Sequence, residues 1–349
     1  MTNPADSPYV RACRRLPVPH TPVWFMRQAG RSLPEYRALR GSGSILDAIA
    51  NPAIAAEVTM QPVRRYGVDA AILFSDIVVP VHAIGFGIDV VPGRGPVAAE
   101  PFRDASDLKR LRELQPETDL PYVLETVDRV VAELGDTPLI GFAGAPFTVA
   151  SYLIEGGPSR EFTKVKALMH SEPDLWVALM ERLTAGSIAF LRAQVEHGAS
   201  ALQLFDSWAG YLSPSEYECF ALPATIRIMA ETADLGVPRT LFGVGTGELL
   251  GLMAQSGADV VGADWRVPIA EARRRIGPNL AVQGNLDPAL TFASRDVLLD
   301  ATRRVLDSAG TEPGHIFNLG HGVLPTTDPE ALQLVVDLVH AEGKAGVAK

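Results

Sequence analysis

The sequence predicts an α/β protein that folds as a single (β/α)8 barrel of the TIM type, and two observations support this fold class. Eight short apolar runs alternate with longer amphipathic stretches along the whole chain, a pattern typical of parallel strands joined by helices. Eight such units close a barrel, and single barrels reach the length of this 349-residue chain. An open doubly wound sheet is the alternative. We expect residues 1–349 to form one domain, with an N-terminal tail over residues 1–20.

The strands are expected at residues 22–26, 71–74, 139–142, 201–205, 239–242, 259–262, 280–283 and 316–318. Helix starts are predicted at Asn51-Pro52, at the capping box Ser213-Pro214-Ser215-Glu216 and at Asp328-Pro329-Glu330. Glycines that follow helical patterns and precede strands are expected to cap helix C-termini. These glycines are Gly67, Gly198, Gly236 and Gly257.

Residues 77–120 interrupt the alternation of strands and helices. Gly85-Phe86-Gly87 and Pro92-Gly93-Arg94-Gly95-Pro96 separate short β-like pieces in this stretch. We therefore expect an excursion after the second strand, with a hairpin over the mouth of the barrel. Arg94, in the middle of the second of these segments, is either a basic residue that closes over a ligand or an ordinary solvated turn residue.

Composition excludes several classes of function. The net charge of −10 argues against a nucleic acid or an anionic membrane as partner, and no apolar run is long enough to span a membrane. Two cysteines, Cys13 and Cys219, cannot form a disulfide framework, and residues 1–20 hold no signal-peptide-like apolar stretch. We expect a cytoplasmic protein. None of the five lysines ends a predicted strand, which argues against Schiff-base catalysis.

Residues 22–31, Pro-Val-Trp-Phe-Met-Arg-Gln-Ala-Gly-Arg, are the most informative segment of the chain. An apolar run is followed directly by Arg27, Gln28 and Arg31. Guanidinium groups keep their charge and present a fork of donors matched to carboxylates or phosphates. The pair indicates a polyanionic ligand, although ion pairs with acids of the fold would account for the same spacing.

Polar residues also follow the later strands, and in α/β barrels the chemistry gathers at the carboxyl ends of strands. Asp76 follows the run at 71–74, and Ser207 follows the run at 201–205. Tyr152 comes soon after the motif that follows the run at 139–142 and ends at Thr148, and His321 follows the last run. Each has an ordinary alternative role, such as a helix cap for Asp76, but their convergence on one barrel mouth favours an active site.

Several segments resemble motifs of the uroporphyrinogen decarboxylase family, in the same order and across nearly the whole chain. They are residues 22–31, 33–36, 73–76, 141–148, 204–210, 284–288 and 318–322. The resemblance implies a dimeric single-domain (β/α)8 barrel that uses neither a metal nor an organic cofactor. It also implies the reaction, in which the four acetate groups of uroporphyrinogen III lose carbon dioxide and coproporphyrinogen III is formed, a step of haem biosynthesis.

The resemblance also implies roles for individual residues. Asp76 lies against the pyrrole N–H groups of the tetrapyrrole and stabilises the positive charge that develops on the ring, while Arg27 and Arg31 hold substrate carboxylates. The side-chain acids are bound or oriented by Gln28, Tyr152, Ser207 and His321. The proton donor stays open. One candidate is a water molecule held by Arg27, and the other is His321. The order of decarboxylation and the preference for isomer I or III stay open as well.

Two other functions compete with this interpretation. Methyltransferases of the same fold hold zinc through His and Cys ligands, but the sequence has no His-x-Cys pair. A tetrapyrrole carrier would need the apolar cleft and the arginines but not Asp76. The glycines of residues 243–247 do not match a phosphate-binding motif, and we expect a loop at the barrel mouth there.

Overall fold

Seven parallel strands form the main sheet of this protein. The computed structural model describes residues 4–41 and 44–344. The strands are β1 (Ala71–Ile72), β2 (Ile88–Val91), β3 (Gly95–Ala98), β4 (Leu139–Gly144), β5 (Ala201–Asp206), β6 (Arg239–Gly243), β7 (Val260–Gly262), β8 (Ala281–Gln283) and β9 (His315–Ile316). The order in the main sheet is β1-β4-β5-β6-β7-β8-β9, and β2 pairs only with β3, antiparallel. Seven of the eight predicted strands are thereby confirmed to within two residues.

Helices connect these strands. They are α1 (Pro8–Cys13), α2 (Pro34–Arg40), α3 (Ile45–Ile49), α4 (Pro52–Tyr66), α5 (Val79–Ala83), α6 (Pro116–Asp119), α7 (Pro121–Leu134), α8 (Pro146–Glu155), α9 (Thr163–Ser171), α10 (Pro173–Glu196), α11 (Pro214–Phe220), α12 (Leu222–Glu231), α13 (Leu250–Met253), α14 (Ile269–Ile276), α15 (Arg295–Ala309) and α16 (Pro329–Glu342). The predicted caps are confirmed, because the side chains of Asn51, Ser213 and Asp328 accept hydrogen bonds from backbone amides of α4, α11 and α16. None of the helices within residues 4–41 and 44–344 has the length and apolarity that a membrane span requires.

The main sheet is strongly curled. Gln203 lies on β5 and Gln283 on β8, with two strands between them, yet Gln283 Nε2 donates to Gln203 Oε1 at 3.1 Å. In a flat sheet three strand spacings amount to about 14 Å. The Oε1 atom of Gln283 accepts a hydrogen bond from Trp24 Nε1 at 3.1 Å. These side chains therefore lie inside the curve, where they join strands that are not neighbours.

The prediction of a regular strand over residues 22–26 is wrong. Val23 makes an isolated parallel bridge with Phe317, and the chain enters a turn at Met26. Trp24 N donates to Phe317 O at 3.3 Å and Phe317 N donates to Pro22 O at 2.8 Å, while Asp69 N donates to Val23 O at 2.9 Å. Pro22 has no N–H to donate. The segment thus lies between the two edges of the sheet, bonded to both by a few hydrogen bonds.

The expected excursion after the early strand contains the predicted hairpin. Strands β2 and β3 pair antiparallel, with the turn at residues 92–94. The hairpin and the chain after it run along α8, because Ala98 N donates to Gly156 O at 3.2 Å and Phe102 N donates to Leu153 O at 2.8 Å. Arg94 is exposed in the turn. The excursion therefore supports α8, which carries one of the predicted site residues.

The described part of the N-terminal tail expected over residues 1–20 is packed against the rest of the protein. Tyr9 is 0% and Cys13 is 2% exposed on α1, and Arg15 Nη1 donates to Leu280 O at 3.2 Å. Burial of these side chains stabilises such a short helix, which would not persist alone. Residues 4–20 therefore cover the end of the sheet at which the strands begin.

Candidate active site

Arg27 and Arg31 lie on an irregular loop that leaves the sheet after residue 26. Both side chains are exposed, and both residues have positive φ angles, 61° and 32°. Such angles are uncommon outside glycine and persist where the surroundings hold the backbone. One such anchor is Met26 N, which donates to Asn318 Oδ1 at 3.0 Å. The loop therefore presents two guanidinium groups side by side, and it is held from the last strand of the sheet.

Gln28 lies in the same loop but does not reach its surface. The side chain is 1% exposed; its Oε1 accepts from Phe25 N at 2.9 Å and its Nε2 donates to Ala70 O at 2.9 Å. Both polar groups of the amide are thereby used within the fold. The Gln28 side chain therefore fixes the loop that carries Arg27, and its binding of substrate stays a prediction.

Asp76 follows β1 and faces the two arginines. Its Oδ1 accepts a hydrogen bond from Val78 N at 3.1 Å, in the turn that leads into α5, whose N-cap is Val78 and not Asp76. Burial raises the pKa of the Asp76 carboxyl, while the Val78 amide and the charges of Arg27 and Arg31 oppose that rise. The Val78 amide thus orients a carboxylate that also interacts with both arginines.

The two guanidinium groups repel each other. Withdrawal from bulk water, with the charge of Arg27 second, lowers the pKa of Arg31 to about 10, and Asp76 acts in the opposite direction. Arg31 still carries its charge at neutral pH. Two adjacent cations that a single carboxylate does not neutralise favour the binding of further anions.

Tyr152 is on α8, half-buried, with its ring packed edge-on against Trp208 at 5.7 Å between centroids. Burial, followed by the negative charge of Asp76, raises the pKa of Tyr152 to about 12, and Arg27 opposes this. The phenol therefore stays protonated and lies within electrostatic reach of Asp76 and Arg27. As a neutral hydroxyl it can donate a hydrogen bond to an anionic ligand.

His321 lies on the same side of the cleft as the arginines. Burial and then the positive charges of Arg27 and Arg31 lower the pKa of His321 to about 4, so the imidazole is neutral at physiological pH. Ser207 follows β5 and is half-buried. Electrostatic interactions thus bring together Arg27, Arg31, Asp76, Tyr152 and His321, while for Ser207 only its place at a strand end supports a role.

One cation of this cleft was not predicted from the sequence. Arg266 stacks over the Trp265 ring at 4.0 Å, and its Nη1 lies 2.7 Å from Asp264 Oδ2. The side chain is 51% exposed and its charge acts on His321. Asp264 also accepts a hydrogen bond from the Gly245 amide, which attaches the 243–247 loop to the same cluster. The signal in the sequence that could have revealed Arg266 is the adjacent Trp265-Arg266 pair, which follows β7.

Asp206, at the end of β5, is buried beneath the site. It is 1% exposed, Oδ1 accepts from the Thr148 hydroxyl at 2.6 Å, and Oδ2 makes no hydrogen bond within the described part of the chain. Burial raises the pKa of Asp206 to about 6. A carboxyl in this position favours its neutral form in the folded state.

This burial gives a prediction for stability. The folded-state pKa of Asp206, about 6, exceeds the ordinary value of about 3.9, so the folded protein binds this proton more tightly and the resulting stability is lost as pH rises from about 4 to 6. Asp206→Asn has no charge to bury. The free energy of unfolding of this variant minus that of the unmodified chain should therefore be larger at pH 8 than at pH 4, by up to about 3 kcal/mol. Urea unfolding at both pH values measures this, and a difference that does not change with pH would contradict the assignment.

Comparison with known proteins adds an independent line of evidence. The profile of the family described as Uroporphyrinogen decarboxylase (URO-D) matches residues 4–342. The chain is 60% identical over 337 residues to a uroporphyrinogen decarboxylase of Streptomyces coelicolor, with 97% of this chain and 95% of the relative covered. It is 61% identical over 338 residues to one of Salinispora tropica, with 97% and 91% covered.

Among solved structures, a methyltransferase from Methanosarcina mazei superposes with a TM-score of 0.79 at 20% identity and covers 97% of this chain and 98% of its own. A B12-independent methionine synthase from Shewanella sp. gives a TM-score of 0.55 at 13% identity, with 85% and 90% covered. At such identities the likeness concerns the fold alone.

Proposed function

The chain belongs to the uroporphyrinogen decarboxylase family, and on that premise we propose that it removes the four acetate carboxylates of uroporphyrinogen III to give coproporphyrinogen III and carbon dioxide. The observation that carries the proposal is the cluster around Asp76, in which a buried carboxylate, held by the Val78 amide, interacts with Arg27 and Arg31. A cyclic tetrapyrrole matches such a cluster. Its rim of carboxylates is complementary to the two arginines, and its four inward N–H groups are complementary to the carboxylate of Asp76.

In this proposal the arginines bind the rim of the substrate. Arg27 and Arg31 each offer a fork of donors to a carboxylate, and both side chains are exposed. The protonated Tyr152 phenol donates to a further carboxylate, and Ser207 and His321 orient the side-chain acids. Arg266 adds a positive charge at the same edge and is stacked on Trp265.

Asp76 acts on the ring. A proton adds to the ring carbon next to the one that bears the acetate, and the ring becomes a cation that can accept an electron pair at the substituted carbon. The bond between the methylene carbon and the carboxylate breaks, its electrons pass into the ring, and carbon dioxide leaves. A proton then adds to the exocyclic carbon, which becomes a methyl group, and the ring loses its added proton. A fixed carboxylate against the N–H groups stabilises the cationic stages, and its desolvated position strengthens the effect.

The proton donor is not His321 in this proposal. An imidazole whose pKa is lowered to about 4 carries almost no proton to give at pH 7. The neutral imidazole serves better as a hydrogen-bonding group for a substrate carboxylate. A water molecule polarised between Arg27 and the substrate is the donor that we propose.

We further propose that residues 22–24 take the place of an irregular eighth strand between the two edges of the sheet, which makes the fold a closed (β/α)8 barrel. The hydrogen bonds of this segment to both edges of the sheet support this. A homodimer in the cytoplasm is the assembly and location that we expect from the family resemblance.

The test is an anaerobic incubation of the purified protein with freshly reduced uroporphyrinogen III, in the presence of a chelator and with no added metal. The products are oxidised and separated by their number of carboxylates. We expect species with seven, six, five and finally four carboxylates. Binding of the substrate with recovery of only the eight-carboxylate species would make the protein a carrier, and the absence of binding would overturn the proposal altogether.

A further inference from the structure

A cluster of two histidines and one aspartate lies away from the candidate active site. His20 Nε2 is 2.6 Å from Asp69 Oδ1, and His340 Nε2 is 2.8 Å from Asp69 Oδ2. Asp69 precedes β1, and His340 is in the last turn of α16, which runs back along the sheet after β9. The cluster is therefore at the end where the strands begin, opposite the end that carries Asp76.

The carboxylate at the centre of this cluster is held in place by the backbone. Asp69 Oδ2 accepts from Val23 N at 2.8 Å, and Asp69 N donates to Val23 O at 2.9 Å. The two imidazoles approach the carboxylate from two different segments, with their ring centroids 4.5 Å apart. The three groups are thus oriented by the fold, and the two histidines remain accessible, with 28% and 32% of their side chains exposed.

These atoms fit the requirements of a transition-metal site. One atom from each residue can be chosen so that all three lie within 4.8 Å of one another. Ligand atoms around a tetrahedral zinc ion are about 3.3 Å apart, so small side-chain rotations suffice. The other ring nitrogens, the Nδ1 atoms, make no hydrogen bond to a described residue. A proton can therefore move from Nε2 to Nδ1, or leave, without the loss of a protein hydrogen bond.

We propose that His20, Asp69 and His340 bind one divalent transition-metal ion of the zinc class. Two imidazoles and one carboxylate are the ligand set of many zinc sites, and a fourth position stays open to solvent. The ion joins three segments that are distant in the sequence, namely the residues before the 22–31 segment, the loop before β1 and the C-terminal helix α16. Its role is structural, because it lies at the opposite end of the strands from the decarboxylation site.

The experiment uses the chelator-treated full-length protein and Co²⁺ as a spectroscopic probe, with Zn²⁺ affinity measured by competition against a chelator. We expect one equivalent of Co²⁺ to give visible d–d absorption of a low-symmetry site, and one equivalent of Zn²⁺ to abolish it. His340→Gln should weaken Zn²⁺ binding at least about 100-fold, since loss of an outer-shell partner alone costs about 10- to 100-fold. Asp69→Asn should do the same, and His340→Gln decides the matter if Asp69→Asn fails to fold.

Two control variants make the result specific. His197→Gln removes an imidazole that also contacts two acids. Asp128 and Glu117 contact opposite nitrogens of that ring, at 2.8 and 3.3 Å, so these three residues cannot chelate one ion. Co²⁺ binding should therefore be unchanged in this variant. Cys219→Ser removes the exposed thiol and should also leave binding unchanged. Loss of binding in either control, retention of full affinity in His340→Gln, or absence of the absorption bands would overturn the proposal. No substrate is present, so the outcome is independent of the decarboxylase assay.

Discussion

Asp76→Asn is expected to leave the fold intact and to lower kcat by about 10²- to 10³-fold, the scale of one removed preorganised electrostatic group. Asparagine keeps an oxygen for the Val78 amide, so the start of α5 is retained, but it has no charge to offer to a cationic ring. KM should change little, because Asp76 contributes little to the binding of carboxylates. Steady-state kinetics with uroporphyrinogen III and circular dichroism measure the two parts of this expectation.

The pH dependence separates the charge of Asp76 from its hydrogen bond with the Val78 amide. Burial raises its pKa, and the mechanism needs the ionised form, so the rate of the unmodified chain should fall with decreasing pH through a value above that of an ordinary carboxyl. Asp76→Asn should lose this acidic limb. Asp328→Asn is the matched control. Asp328 Oδ1 likewise accepts a hydrogen bond from the amide two residues further on, Glu330 N, at 3.0 Å, but Asp328 is exposed. A near-normal kcat for Asp76→Asn would refute the electrostatic role.

Arg31→Ala should act chiefly on binding, with KM raised about 10- to 100-fold and a smaller change in kcat. A hydrogen bond to a charged group contributes about 1.5–3 kcal/mol, which corresponds to this range. Alanine meets the same constraint as arginine at the positive φ of residue 31, so the backbone cost is unchanged and the loss reports on the guanidinium. Titration of KM against salt should show a weaker dependence in the variant, since one cation fewer contacts the substrate.

Arg31→Lys and Arg37→Ala complete this series. Lysine keeps the charge but not the planar fork, and KM should fall between that of Arg31→Ala and that of the unmodified chain. Arg37 is an exposed arginine of α2, six residues further along the chain, and its replacement should leave KM unchanged. An equal rise of KM in Arg37→Ala would mean that the general field of the protein, and not a contact of Arg31, holds the substrate.

Most of the fold could be predicted because its signals are local. Apolar runs of three to five residues determine where the strands form, and glycine at positions that require a positive φ marks helix ends, as at Gly67 with φ 64° and Gly236 with φ 71°. The strand expected at residues 22–26 failed for the opposite reason. Its apolar composition suits a strand, but Pro22 cannot donate and the turn at Met26 ends the extended stretch, so pairing depends on partners that composition does not reveal.

The site shows the same division. The proximity of Asp76, Arg27 and Arg31 could be predicted, because strand-end acids and forked cations carry their chemistry in their residue type, and the three residues interact in the structure. The hydrogen bonds of the Gln28 amide with Phe25 and Ala70 could not be predicted from the sequence, since only the fold brings these partners together. Arg266 was missed because its place beside His321 depends on how the loop after β7 folds back.

The loose pairing of residues 22–24 has a consequence for how long the site survives thermal fluctuation. Few backbone hydrogen bonds tie this segment to the sheet, and the arginine loop is held by the backbone hydrogen bond from Val323 N to Met26 O together with the side chains of Gln28 and Asn318. Regions with sparse backbone pairing open locally at a lower free energy than the whole molecule unfolds. The lifetime of the arranged arginines is therefore set by local opening of this segment, and amide hydrogen exchange should be faster there than in β4 and β5. Changes at Gln28 or Asn318 can thus disable the enzyme while its global stability stays high.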